Sequence, residues 1–229
     1  MTGFFIALEG SEGAGKSTQA RLLAEWLEAA GHSVLLTREP GGTDVGEQVR
    51  HVLLAPGAYA ILPETETLLY AAARAQHVRE VLLPALAAGS VVVCDRYVDS
   101  TLAYQGGGRG LPLTALLQVQ EFATGGLLPD LRLLLDLPVN VGLARRLAGP
   151  DAVNHLDRAG VAFHERVRSA YLDLIAADPA GWAVVDADGP PEVVGKRVVE
   201  VVAERLPMSP RADSDGLTRD DRATVVETR

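Results

Sequence analysis

The sequence contains one cysteine, Cys94, and no apolar run that approaches 18 residues. A single cysteine excludes an internal disulfide framework and is typical of a reducing compartment. The apolar runs are too short for a transmembrane helix, and the N-terminus lacks a basic segment followed by an apolar segment and a cleavage site. These absences predict a cytoplasmic protein without a membrane partner, in which Cys94 is a small core residue.

Positive charge is also scarce. The chain has 21 Lys and Arg residues against 30 Asp and Glu residues, and its net charge is -9. This balance argues against a broad surface for nucleic acid or for an anionic membrane, so we expect no nucleic-acid partner. Any anionic ligand must then be held by a local cluster of Arg and Lys. The five histidines show no metal-ligand spacing.

Only two lysines are present, and one of them, Lys16, ends a glycine-rich segment. Residues 10–18 match the pattern G-x-x-x-x-G-K-[ST] and follow the apolar run 4–8. In this context the backbone N–H groups and the dipole of the next helix bind nucleotide phosphates. We expect Lys16 to reach the β- and γ-phosphates of ATP and the Ser17 hydroxyl to bind Mg²⁺. The predicted ATP contacts of this loop are Gly10, Ser11, Glu12, Gly13, Ala14, Gly15, Lys16, Ser17 and Thr18.

A phosphate loop alone does not separate a small-molecule kinase from a GTPase or a motor ATPase. A GTPase carries an Asn-Lys-x-Asp guanine reader, but neither Asn140 nor Asn154 is followed by Lys. The GTPase alternative is therefore excluded.

Short apolar runs alternate with helical periodicities along the chain, which predicts an α/β fold. We expect strands at residues 4–9, 33–37, 91–95, 131–136 and 182–185. We expect helices at residues 16–30, 44–54, 64–88 with a kink or interruption at Pro84, 112–124, 139–148, 159–177 and 191–206, and a glycine-rich loop at 106–110. This alternation implies a parallel sheet with helices on both faces and ligands outside the carboxyl ends of its strands.

The composition changes at Pro207 to Ser, Asp, Arg and Thr without aromatic residues. Such a segment cannot bury enough apolar surface to fold alone. We therefore predict one domain over residues 1–206 and a disordered tail over 207–229.

Three motifs occur together and in order: residues 9–18, residues 38–43 (Arg-Glu-Pro-Gly-Gly-Thr) and residues 95–110, which begin Asp-Arg-Tyr and end Gly-Gly-Gly-Arg-Gly. From about residue 5 to residue 206 the chain resembles bacterial thymidylate kinases (dTMP kinases). The resemblance implies a P-loop kinase fold with a five-stranded parallel sheet, helices on both faces and a short lid. It also implies Mg²⁺-dependent transfer of the γ-phosphoryl group of ATP to dTMP, and a homodimer to which the apolar helix at 112–124 contributes.

The resemblance assigns the residues that read the acceptor. Tyr70 and Arg74 are four residues apart and share a helix face. The resemblance implies that the aromatic ring stacks on the thymine ring and that the Arg donates a hydrogen bond to the base. On spacing alone Tyr70 fits a core aromatic equally well. Thr101 and Gln105 resemble further base-side or phosphate-side contacts, and Tyr104 resembles the residue that packs on the sugar and disfavours a 2′-hydroxyl.

The acceptor phosphate needs arginines. Arg96, at a strand end beside the phosphate loop, can grip it through a bidentate fork; the alternative for Arg96 is a surface ion pair with Asp95. Arg38 is the second candidate. Asp95 ends its strand where a Mg²⁺ contact through water is needed, and it can equally cap the next helix.

Glu12 lies inside the phosphate loop, where it would repel ATP unless it faced the acceptor. The resemblance implies that it approaches the 3′-hydroxyl and organises nearby cations. Gly13 occupies the position at which one subclass carries a catalytic Arg, and members without that Arg use a mobile lid, here about residues 145–158. We predict Arg158 as the catalytic lid residue, together with Glu12, Lys16 and Arg96.

The other lid arginines, Arg145 and Arg146, serve the adenine side of ATP or cap a helix. Two alternatives to the whole interpretation stay open: another P-loop nucleoside or nucleotide kinase, and a P-loop ATPase or switch protein. They differ in whether ADP formation requires a monophosphate.

Overall fold

One parallel sheet of five strands organises the molecule, in the order β2-β3-β1-β4-β5. A computed structural model describes residues 3–55, 61–149 and 156–207. The strands are β1 (Phe4–Glu9), β2 (Val34–Arg38), β3 (Val91–Asp95), β4 (Leu131–Asp136) and β5 (Trp182–Asp186). The predicted parallel sheet is confirmed, and every strand begins and ends within one residue of its predicted bounds.

Helices cover both faces of the sheet. They are α1 (Lys16–Ala29), α2 (Asp44–Leu54), α3 (Pro63–His77), α4 (Leu83–Ala87), α5 (Val98–Thr101), α6 (Leu113–Thr124), α7 (Val139–Ala148), α8 (Val161–Ala177) and α9 (Pro191–Arg205). Alternate residues of β1 face opposite sides: Ile6 and Leu8 pack with α1 and α9, whereas Phe5 packs with Leu116 of α6. Strands buried on both faces need the continuous apolar runs seen in this sequence.

The long helix predicted over residues 64–88 is interrupted before Pro84 rather than at it. A π-helical turn, Val78–Leu82, lies between α3 and α4. Proline has no N–H to donate, and its ring clashes with the carbonyl group four residues earlier. The wider turn ahead of Pro84 removes that clash.

The glycine-rich loop expected at residues 106–110 is wrong for its first three residues. They end a π-helical segment, Leu102–Gly108, that continues α5. A Cβ atom on Gly107 would lie 2.4 Å from the Cβ of Ala170, and one on Gly108 would lie 2.5 Å from the ring of Phe163. These glycines therefore allow close packing against α8, and only Gly110, at φ 81°, adopts a left-handed turn.

The carboxyl ends of the strands bring polar residues to one edge of the sheet. In the parallel register Asp95 of β3 lies opposite Arg38 of β2 and Leu8 of β1, next to Glu9. The order of the sheet reverses at β1, and in open α/β sheets ligands bind at such a reversal. Residues 10–15, which follow β1, lie at this point.

Within the described residues no helix is long and apolar enough to cross a bilayer. Two predicted features lie wholly or partly outside these residues: the tail, from residue 208 onward, and residues 150–155 of the lid.

Candidate active site

A cavity of about 690 Å³ opens at the carboxyl edge of the sheet. Its size falls within the range of small-molecule sites. Fifteen of the residues predicted for the site line it, namely Glu12, Gly13, Gly15, Lys16, Ser17, Thr18, Arg38, Tyr70, Arg74, Asp95, Arg96, Thr101, Tyr104, Gln105 and Arg145. Four predicted residues, Gly10, Ser11, Ala14 and Arg158, are not part of the lining.

The phosphate loop is shaped by glycine backbones. Gly13 and Gly15 have φ values of 73° and 87°, which side chains strongly disfavour. The next residue, Lys16, begins α1 and folds back over the loop, where its Nζ donates to the carbonyl oxygens of Gly10 (3.0 Å) and Ser11 (2.8 Å). Burial, with the nearby charge of Arg96, lowers the pKa of Lys16 to about 8.

The loop has no room for a side chain at Gly13. A Cβ atom there would lie 1.9 Å from the carbonyl oxygen of Gly142 in α7, and one on Gly142 would lie 2.4 Å from the carbonyl oxygen of Glu12. Two glycines thus let α7 touch the phosphate loop. The catalytic Arg that one subclass carries at this position has no space here.

The two residues predicted to bind Mg²⁺ contact each other. Ser17 Oγ donates to Asp95 Oδ2 at 2.5 Å, and Asp95 Oδ1 is buried without a hydrogen-bond partner among the described residues. A hydroxyl and a carboxylate are hard oxygen donors that suit Mg²⁺, which completes its coordination with substrate phosphates and water. The described residues contain no cluster of three or more His, Cys, Asp or Glu side chains that would hold a metal alone. The donor set therefore fits a metal shared with a nucleotide.

Arg96 connects the phosphate loop to Tyr104. Its guanidinium donates to Glu12 Oε1 (2.8 Å), to the Gly10 carbonyl (3.1 Å), to Ser100 Oγ (3.2 Å) and to the Tyr104 hydroxyl (3.2 Å). It also lies over the Tyr104 ring, 4.9 Å from its centre. The Arg96 backbone has φ 72°, a strained value for a non-glycine residue that typically marks a functional position. Its ion pair is with Glu12, not with Asp95.

The Glu12 carboxylate lies among residues predicted to bind the acceptor. Burial opposes its charge, but Arg96, Lys16 and the hydroxyl of Tyr104, which donates at 2.9 Å, together lower the pKa of Glu12 to about 2. Glu12 is therefore ionised throughout the physiological range.

Glu9 is a site residue to which sequence reasoning gave no role. It is fully buried and accepts hydrogen bonds from the Tyr97 backbone (2.8 Å), Ser100 Oγ (2.5 Å) and the Tyr171 hydroxyl (2.8 Å). Burial and the charge of Asp99 raise the pKa of Glu9 to about 7. It supports the segment that carries Arg96, and a charged residue ending a buried strand was the available signal.

Arg74, which is predicted to bind the base, is deeply buried. Only 2% of the side chain is exposed. Its Nε donates to Glu39 at 2.6 Å, one terminal nitrogen donates to Thr101 at 3.1 Å and to Gln120, and the other donates to the Tyr97 carbonyl at 2.9 Å. Burial disfavours its charge, but Glu39 outweighs this and raises the pKa of Arg74.

Glu39, quoted in the second motif but not assigned a role, is a second missed residue. It is buried and also contacts Nδ1 of His77 at 3.0 Å. Arg50, which lines the cavity and donates to the Pro40 carbonyl at 2.9 Å, is a third. Its helical segment carries no motif, so no sequence signal marked it.

Tyr70 and Arg38 also line the cavity. Tyr70 is half-buried and its pKa is raised by burial, so its phenol stays neutral. Arg38 remains half-exposed and pairs with Glu47 at 2.9 Å.

The lid arginines differ in their surroundings. Arg145 donates to the Ala187 carbonyl (3.0 Å) and to Asp188 (2.9 Å), and Arg146, also in the lining, forms a bidentate pair with Asp157 at 3.0 Å. Arg158 is exposed in this arrangement. Its catalytic role stays a prediction.

A phosphate loop, an oxygen pair suited to Mg²⁺ and a second set of arginines face one cavity on a five-stranded parallel sheet. The fold and the site are those of a P-loop nucleoside monophosphate kinase. The family model for thymidylate kinase matches residues 8–198, and the chain belongs to this family.

Curated relatives agree with this assignment. The chain is 55% identical over 201 residues to a thymidylate kinase of Thermomicrobium roseum, which covers 88% of this chain and 95% of the relative. It is 50% identical over 209 residues to a thymidylate kinase of Citrifermentans bemidjiense, with 89% and 93% covered. It is 54% identical over 190 residues to one of Pseudomonas fluorescens SBW25, with 83% and 90% covered.

Proposed function

We propose that this chain catalyses the Mg²⁺-dependent transfer of the γ-phosphoryl group of ATP to dTMP, giving ADP and dTDP for dTTP synthesis. Membership in the thymidylate kinase family supports the reaction. The structural observation that supports it most is the Glu12–Arg96 pair, which joins the phosphate loop to Tyr104 on the acceptor side. An ATPase or switch protein has no use for a second anion site of this kind.

ATP binds with its phosphates in the loop of residues 10–18, where backbone N–H groups and the start of α1 favour negative charge. Lys16 leaves the loop carbonyls and contacts the β- and γ-phosphates. Arg145, beside Ala187 and Asp188, lies on the adenine side.

Ser17 and Asp95 would hold Mg²⁺, the latter directly or through water, and the bound ion would neutralise charge on the β- and γ-phosphates. The unpaired, buried Oδ1 of Asp95 supports this assignment.

The acceptor dTMP lies between α3 and the segment after β3. Tyr70 stacks on the base, Arg74 donates to a base carbonyl, and Thr101 and Gln105 complete the base side. Arg96 and Arg38 grip the phosphate, Tyr104 packs on the sugar and Glu12 faces the 3′-hydroxyl. The ionised acceptor phosphate then attacks in line, without a covalent intermediate, while Lys16 and the arginines spread the developing charge.

The lid, about residues 145–158, closes over the transferring group and excludes water. We assign Arg158 to that group in the closed form. The domain bounds, 1–206 with a tail over 207–229, and a cytoplasmic location remain predictions; the one free thiol, Cys94, is buried, as suits a reducing compartment.

We also propose a homodimer formed through α6. This helix leaves Leu113, Leu117 and Phe122 exposed, the last at 86%. Large exposed apolar side chains on one helix are typical of a contact surface.

The test is ADP release from ATP and Mg²⁺ with dTMP, dUMP, dCMP, AMP or no acceptor. Strong stimulation by dTMP, well above dUMP, is the expected result. Stimulation by a different monophosphate alone identifies another kinase of this architecture. Turnover that needs no acceptor identifies an ATPase or switch and overturns the proposal.

A further inference from the structure

Glu66 lies beneath the base-reading side of the cavity and has no role in the reaction described so far. It belongs to α3 and lies one turn before Tyr70 and two turns before Arg74, so the three residues form a row along the helix. The Glu66 side chain is fully buried. It accepts a hydrogen bond from Gln105 Nε2 at 2.6 Å and forms an ion pair with Arg109 at 3.1 Å.

Arg109 supplies the positive charge that pairs with Glu66. Its Nε and one terminal nitrogen approach the two carboxylate oxygens at 3.5 and 3.1 Å, and its guanidinium lies 5.4 Å from the centre of the Phe163 ring. A buried carboxylate held by an arginine stays ionised. An ionised carboxylate accepts hydrogen bonds and cannot donate one.

This restriction determines the orientation of the Gln105 amide. The two ends of an amide are nearly equal in shape but opposite in hydrogen bonding. Only the NH₂ end can face the Glu66 carboxylate, so the carbonyl oxygen of Gln105 must be the end that is left for another partner. Gln105 lines the cavity, and it therefore offers an acceptor there.

Arg74 offers the complementary group. Four of its five N–H groups are used by Glu39, Thr101, Gln120 and the Tyr97 carbonyl, which leaves a single donor. Arg74 and Gln105 line the same cavity. One donor together with one acceptor matches thymine, in which the O4 carbonyl adjoins the N3–H group. It opposes cytosine, in which an amino donor adjoins an N3 acceptor.

We propose that Glu66 is a specificity-determining positioning residue. By accepting from Gln105, it orients that amide as an acceptor toward the base and thereby selects pyrimidines with an N3–H group over cytosine. This inference rests on the proposed function, since it concerns how the acceptor base is chosen.

The test compares kcat/KM for dTMP and dCMP in the full chain and in Glu66→Gln. A glutamine at this position can donate to the Gln105 carbonyl, so the Gln105 amide is free to turn. The dTMP-to-dCMP ratio should fall by at least about tenfold, the size expected for one well-placed hydrogen bond. The change should lie mainly in KM for the nucleoside monophosphate, with KM for ATP unchanged. Glu64→Gln, an exposed residue of the same helix, is the matched control and should keep the native ratio.

A double-mutant cycle separates orientation from general loosening of the site. In a Gln105→Leu background, Glu66→Gln should no longer change the ratio, because the amide that it acts through is gone. Additive effects of the two changes would mean that Glu66 acts by another route, and the inference would be wrong.

A second variant tests the inference if Glu66→Gln does not fold. Arg109→Met removes the group that keeps Glu66 ionised, so a protonated Glu66 can donate to Gln105, and the ratio should fall in the same direction. A native ratio in either folded variant overturns the inference alone. If no monophosphate stimulates ADP release by the unaltered protein, the proposed function itself fails.

Discussion

The two sides of the cavity are built by different means. On the ATP side, the loop of residues 10–18 is a backbone structure: Gly13 and Gly15 supply its left-handed turns, and α7 touches it through Gly142. On the acceptor side, charged side chains are buried against one another, with Arg74 held by Glu39 and Arg96 held by Glu12. The first side is sensitive to an added side chain, above all at Gly13, and the second is sensitive to the loss of a charge.

The two sides of the cavity are sensitive to different kinds of substitution. A loop that binds phosphates through backbone N–H groups presents these groups regardless of the solvent conditions. It depends, however, on glycines, which have no side chain. A buried ion network holds side chains rigidly, but removing one member leaves the others charged and without a partner. Each of the following predictions tests one half of this contrast.

The largest effect is expected for Lys16→Ala on the ATP side. The variant keeps the loop backbone but loses the cation that contacts the transferring phosphates, so kcat should fall by about a thousandfold or more. The measurement is dTMP-dependent ADP release. Lys196→Ala changes the only other lysine, which is exposed on α9, and should leave kcat unchanged. A Lys16→Ala enzyme with near-native kcat would remove the phosphate loop from catalysis.

On the acceptor side, Arg74→Ala should weaken dTMP binding and reduce base selectivity, and it should also destabilise the fold. The second effect follows because Glu39, buried with Arg74 and His77, loses its charged partner. Breaking such a buried pair costs about 3–5 kcal/mol, which urea unfolding would measure.

Arg38→Ala supplies the matched control, because the Arg38–Glu47 pair is half-exposed and exposed pairs contribute about 1 kcal/mol or less. Equal losses of stability in the two variants would contradict a buried network at Arg74.

A smaller but cleaner effect is expected for Gly13→Ala compared with Gly31→Ala. Both glycines have positive φ, 73° and 90°, so alanine is strained at both by about 1–2 kcal/mol. Only Gly13 also meets a neighbour, the Gly142 carbonyl, whereas a Cβ on Gly31 has nothing within 4 Å. The free energy of unfolding should therefore fall further in Gly13→Ala. Equal values would show that α7 does not limit the loop.

The smallest effect concerns pH. Burial raises the pKa of Glu9 to about 7 and that of Asp99 to about 6. Both folded-state values exceed their unfolded ones, so the folded protein holds more protons between about pH 4.5 and pH 7, and stability falls as pH rises through this window. Arg96 and Tyr171 also face Glu9 and partly offset the shift through charge and a hydrogen bond. Glu12, with its pKa near 2, does not titrate here.

Glu9→Gln removes one of these two carboxyl groups and the charge that it exerts on the other. The fall in the unfolding midpoint between pH 5 and pH 7 should become shallower in this variant. A slope that matches the unaltered protein would show that other groups govern the pH dependence.

The sequence was sufficient to predict the sheet, because each strand is mainly apolar and ends in a charged residue. The phosphate loop was equally predictable, since its function depends on residues that are adjacent in the chain. The three glycines at 106–108 lie in a helical segment rather than in the predicted loop, because glycine serves close packing as well as turns. The neighbours of Gly107 and Gly108, Ala170 and Phe163, are more than 50 residues away in the chain.

The acceptor side could be predicted residue by residue only through the family resemblance, and its supporting partners were missed. Arg74 meets Glu39 across 35 positions and Gln105 meets Glu66 across 39. No periodicity or spacing reveals such a pairing, because the fold alone brings these segments together. The sequence did show that Glu9 ends a strand and that Glu39 follows one. Both lie at the carboxyl edge of the sheet, where charged residues usually have a function.

The contact between Gly13 and Gly142 couples the position of α7 to the phosphate loop. Its first turn rests on the phosphate loop, and one turn later the same helix carries Arg145 and Arg146 into the cavity lining. A shift of this helix that opened space at position 13 would also withdraw both arginines. The observed position of α7 is therefore compatible only with glycine at position 13, and the chain has glycine on both sides of this contact.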